Sequence, residues 1–242
     1  MNQYQAYGDE SRYLLPAAEA APTERAAFLK NVYVHLLGAV IACVGLTALL
    51  MVTPAFQNAM RGILGARWGG LILIIGVMAA TVVASNWAHH STNRTTQYSG
   101  LGLAVILESI LFALLLPFAE RVAPGVSQSA AIITLAIFAT LTAVVFYTGI
   151  NFNFLAPLLW AAFIAAIVAI VLNIVMGGAS LGPWFAAAMI VVASGYILYD
   201  TSRIMREYPT SAYVGASLTL FTSVAMLFWY VIRLLMQLKD GD

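Results

Sequence analysis

Ionised side chains are scarce in this sequence. From Val122 to Tyr199 there is no Asp, Glu, Lys, Arg or His, and only 9 % of the 242 residues are charged, against about 25 % in ordinary soluble domains. With 62 % hydrophobic residues, such a chain cannot hide its apolar surface in one aqueous core, so it reads as an integral membrane protein. Cysteine is nearly absent too. Cys43 stands alone inside an apolar run, which excludes a disulfide framework and a thiolate metal site. The net charge of +1 and the lack of any basic run exclude a nucleic-acid partner. There is no P-loop, no dinucleotide-binding fingerprint, no His-Glu-x-x-His and no Gly-x-Ser-x-Gly. Neither enzymatic activity nor a cofactor is expected.

What is present is a succession of apolar runs. A bilayer crossing takes about 20 apolar residues, and seven segments qualify: Val32 to Val52, Trp68 to Trp87, Tyr98 to Phe118, Ala130 to Tyr147, Phe154 to Met176, Trp184 to Met205 and Tyr213 to Leu235. Breakers mark the joints: Pro54, Gly62 and Gly65, Pro117, Pro124-Gly125, Gly149 to Pro157, Gly177-Gly178, Gly182-Pro183 and Pro209. Loops this short hold no further domain, so residues 31–242 are expected to form one all-α membrane domain. Residues 1–30 are polar and of mixed sign, a retained tail with no apolar signal region. Within that tail, Pro22 and Glu24 have the character of a first helical turn. Lys and Arg divide six to five between the two faces if the N-terminus is inside, and six to three if Arg233 and Lys239 after the last span are set aside. That places the tail in the cytoplasm.

The ionisable groups that do enter the bilayer are the candidate site. Asp200 is the first charge after the long uncharged stretch and ends the sixth segment. A charge at that depth costs from about 2.5 kcal/mol upward and marks function by default. The alternative is a headgroup-level carboxylate paired with Arg203 one turn on. Glu108 lies about ten residues into the third segment and must face the bundle interior, either on a polar pathway or in a helix–helix hydrogen bond. His89 and His90 end the second segment. Adjacent residues point about 100° apart on a helix, so they do not form a chelating face. They serve as headgroup contacts or as proton-sensitive neighbours of Asp200. Thr219, Thr222 and Ser223 recur on one stripe of the seventh segment, which lines a wet path or lets helices approach closely. His35 and Asn173 read as interhelical hydrogen bonds.

The seven segments, together with Gly-Tyr-Ile-Leu-Tyr-Asp-Thr-Ser-Arg-Ile at 195–204 and Tyr-Val-Gly-Ala-Ser-Leu-Thr-Leu-Phe at 213–221, resemble the transmembrane Bax inhibitor-1 motif family. The resemblance covers everything after the tail. It implies seven transmembrane helices with the seventh enclosed by the other six, a bacterial inner-membrane location, and a pH-sensitive calcium leak governed by two aspartates. The first aspartate maps onto Asp200. Glu108 falls where several members carry a glutamate, and His89 near a basic position. Asp200 and Glu108 would be transient calcium contacts, with calcium or protons as the permeant ions. The second aspartate is absent: Leu220-Phe221-Thr222-Ser223 stands where leak-type members read Leu-Tyr-Leu-Asp, so Ser223 takes its place. Serine there is similar to the YccA-like branch, whose implied role is to modulate the membrane-anchored AAA protease FtsH through a cytoplasmic tail.

Overall fold

A computed structural model describes residues 15–91, 93–175 and 181–239. The start of the tail, with Asp9, Glu10 and Arg12, and the Gly177-Gly178 joint lie outside the described residues. Among those described, the chain is helical apart from connecting turns and one isolated antiparallel bridge between Pro16 and Pro209.

The helices follow the apolar runs, with corrections at their ends. Helix α1 (Pro22–Val52) opens on Pro22 with Glu24 in its first turn. It begins ten residues before the expected span, so the last part of the tail is already helical. Next comes α2 (Pro54–Gly65), a short helix where only a loop was expected. Its proline sits in the first turn, where a missing N–H costs nothing. Helix α3 (Gly69–His90) carries the second apolar run. Helix α4 (Arg94–Val122) passes through Pro117, which was expected to end it; membrane helices accommodate proline because neighbouring groups re-satisfy the freed carbonyl. Helix α5 (Val126–Thr148) is bounded by Gly125 at φ 78° and Gly149 at φ 59°, left-handed positions that favour glycine. After a 3₁₀ turn at Phe152–Leu155 come α6 (Ala156–Val175), α7 (Gly182–Arg206) and α8 (Tyr213–Lys239).

Six helical stretches among the described residues are long and apolar enough to cross a membrane: α1, α4, α5, Phe152–Asn173, α7 and α8. The second expected segment, Trp68 to Trp87, lies on α3, a helix of 22 residues that is not among these six. In α8, 50 % of the apolar stretch is buried, against 11–39 % in the other five. An inward-facing helix needs apolar residues on several sides.

The chain forms two compact units, residues 1–117 with 208–221, and residues 118–207 with 222–242. In the first, small residues set how closely helices approach. A Cβ on Gly100 of α4 would lie 2.5 Å from the carbonyl oxygen of Ala84 and 2.7 Å from the nitrogen of Ala88 on α3. Ser217 of α8, fully buried, donates to the carbonyl of Val32 on α1 at 2.9 Å. Thr47, near the end of α1, donates to the carbonyl of Ser109 at 3.5 Å, joining α1 to α4. In the second unit, Gly195 of α7 admits Leu159 of α6, whose Cδ2 would be 2.9 Å from an added Cβ. Glu120 accepts the backbone N–H groups of Gly125 and Ser127 at 2.7 and 2.9 Å, closing the α4–α5 turn.

Candidate functional site

Asp200 sits in the last two turns of α7, where the apolar run gives way to Thr201, Ser202 and Arg203. Its side chain is turned inward. The residue is 6 % exposed, and Ser223 Oγ, from the equally buried Ser223 of α8, donates to Asp200 Oδ2 at 2.6 Å. A hydrogen bond to a carboxylate of this length is charge-assisted and stronger than one between neutral groups. Arg203, the expected alternative partner, pairs with Glu207 at 3.1 Å toward the helix end and lies over the Tyr199 ring.

The frame around Asp200 is built from polar bonds at the end of α7. Ser202 accepts the N–H of Phe152 at 3.0 Å. Arg206 donates to the carbonyl of Gly149, and Asn153 donates to Glu207. These contacts fix the α5–α6 connection to the end of α7. Thr201, 1 % exposed, has its hydroxyl buried with no hydrogen-bond partner. No sequence pattern distinguished Ser202 or Thr201, because a hydroxyl that bonds a distant backbone group leaves no local signature.

The histidines belong to the first unit. His89 is exposed, and its Nδ1 lies 2.9 Å from the carbonyl of Ser85. A carbonyl only accepts, so Nδ1 carries a proton. Its Nε2 meets Thr219 Oγ1 at 3.0 Å, and the Tyr208 hydroxyl reaches the same oxygen at 3.2 Å. Gly215, one turn before Thr219, makes room for this: a Cβ there would lie 3.0 Å from the carbonyl of Ala88 and 3.1 Å from the imidazole of His89. His90 is exposed. Of the expected hydroxyl stripe on α8, Thr219 faces His89 and Tyr208, Ser223 faces Asp200, and Thr222, about 100° round the helix from Ser223, is exposed.

Glu108 is half-buried on α4, between the buried Leu107 and Ser109. Ser109 donates to the carbonyl of Val105 at 2.6 Å. His35 makes the interhelical bond expected of it: Nε2 lies 3.0 Å from the Tyr98 hydroxyl, which lies 3.2 Å from the Tyr213 hydroxyl. Among the described residues no three His, Cys, Asp or Glu side chains gather as a metal site. The arrangement at Asp200 can hold or release a proton.

Comparison with known proteins adds to this geometry. A family model described as "Inhibitor of apoptosis-promoting Bax1" matches residues 25–240. A BI1-like protein of Arabidopsis thaliana is 26 % identical over 222 residues, 89 % of this chain and 81 % of that protein. Protein LIFEGUARD 4 of the same plant is 25 % identical, over 90 % of this chain and 87 % of its own length. Bax inhibitor 1 of Schizosaccharomyces pombe is 25 % identical over 97 % of this chain and 85 % of its own.

Proposed function

Because this chain belongs to the Bax inhibitor-1 family, we propose that it is a cation leak, with calcium as the permeant ion, whose passage is governed at the Asp200–Ser223 contact. The observation that carries this reading is the buried carboxylate of α7 held by a hydroxyl of α8 at 2.6 Å. A desolvated anionic group that can exchange its partner for an ion suits a cation path. A carboxylate bonded to a neutral hydroxyl gives up less on that exchange than one locked to a guanidinium. In this reading α3 completes seven crossings, and α8, the most buried of the apolar spans, is innermost. Glu108 then contributes a second polar group, with the N-terminus on the cytoplasmic face of a bacterial inner membrane.

Asp200→Asn keeps the shape and an acceptor for Ser223 while removing the ionisable group. In calcium-loaded liposomes the wild type is expected to release calcium at a rate that varies with pH, and the variant at a rate that varies much less. Absence of wild-type flux, or identical pH profiles, overturns the leak.

A second reading, binding to an FtsH-type membrane protease, is favoured by the tail. Pro16 bridges Pro209, and Ala17, fully buried, donates its N–H to the carbonyl of Tyr208 at 2.9 Å. Pro16 and Ala17 are thus docked, and the role is tested on residues 1–14. Deleting only those fourteen is expected to abolish co-purification with the protease; full retention counts against this role.

A further inference from the structure

Helix α2 has no buried residue along its 12 positions. Phe56, Ala59, Met60, Ile63 and Leu64 fall within one arc of its surface, with Gln57 at the edge of that arc and Asn58 and Arg61 beyond it, the pattern of a helix lying between two media. At 1.5 Å per residue it is about 18 Å long, too short to cross a hydrocarbon core of about 30 Å. It is leashed at both ends. Only Thr53, in extended conformation, separates it from α1, and residues 66–68 from α3. Gly69 seals the second corner, since a Cβ there would run into the carbonyl oxygen of Ile63. A helix fastened this closely to the end of a membrane span stays at the membrane surface.

Among the described residues no carboxylate pairs with Arg61 or Arg67. From Arg25 to Leu107 the chain holds no Asp or Glu. Arg61 bonds the neutral Asn58 at 3.0 Å, and Arg67 lies over the ring of Trp68, which is 62 % exposed. Exposed tryptophan beside arginine is the composition of the headgroup layer. We propose that α2 is an in-plane anchor: its apolar arc enters the acyl-chain boundary, and Arg61 and Arg67 hold the phosphates of anionic lipids on the face opposite the start of α1. Apolar area and basic charge together determine such binding.

The experiment places single nitroxide labels at positions 56–64 of the full chain, in a Cys43→Ala background, reconstituted in phosphatidylglycerol/phosphatidylcholine bilayers. Oxygen accessibility is expected to peak at 56, 60 and 63, and accessibility to a water-soluble nickel complex at 58 and 62, with the helical period of 3.6 residues. Uniform nickel accessibility, or protection from both probes, overturns the anchor. The former puts α2 in water, the latter against protein or a second copy. A second measurement compares lipids retained by wild type and by the Arg61→Gln/Arg67→Gln protein in native mass spectrometry. The preference for phosphatidylglycerol is expected to fall on the order of tenfold; an unchanged preference removes the arginines from the proposal.

Discussion

Asp200 and Ser223 depend on each other, since the carboxylate is buried and the hydroxyl has a single proton to give. Ser223→Ala leaves a desolvated carboxyl oxygen without its donor, at a cost of about 1–3 kcal/mol. That is expected as a lowered unfolding midpoint in detergent, whereas Ser223→Thr keeps the donor and most of the stability. Ser223→Asp makes the opposite change. Two carboxyls in contact cannot both ionise freely, so this variant is expected to add a proton-linked step to the flux profile of the wild type. At this scale the sequence was legible where a charge broke a long apolar run, as at Asp200, and where the family motif offered Ser223 as the substitute. It was silent at Ser202, Ser217 and Tyr208. Their partners, Phe152, Val32 and Thr219, include residues far away along the chain, and serine and tyrosine carry no periodic signal.

Among the elements, α3 and α4 owe their separation to one missing methyl group. Gly100→Ala would drive a Cβ against the backbone of Ala84 and Ala88, neither of which can rotate away. Overpacking of this kind costs about 1–3 kcal/mol. Gly102, two residues on, has nothing within 4 Å of its would-be Cβ, so Gly102→Ala is expected to be neutral or stabilising by up to about 1 kcal/mol. Thermal unfolding of the two variants side by side separates crowding from helix propensity. Apolar run length located every long helix, because the bilayer imposes it. The ends were less legible: Pro54 and Pro183 mark joints, each in the first turn of the helix that follows, but Pro117, read the same way, lies inside a helix. A proline's position within an element, not its presence, decides its effect.

For the whole molecule, the number of crossings decides where its ends lie. Seven crossings, with α3 among them, put the two ends on opposite sides; six would put them on the same side. Single cysteines introduced at Ala20 and Lys239, in the Cys43→Ala background, are therefore expected to react with an impermeant maleimide from opposite faces of sealed vesicles. Labelling of both from one face would remove α3 from the set of spans. The Lys and Arg count barely separates the two orientations, because an almost neutral chain distributes few charges. The docking of the tail against the turn before α8 left no trace in the sequence, as it rests on backbone groups of Ala17 and Tyr208. That docking makes the segment a mechanical coupling. Traction applied to the leading residues loads the Pro16–Pro209 bridge before it loads α1, so an unfolding motor pulling there would first tug the turn that carries Tyr208, and through that side chain the hydroxyl of Thr219.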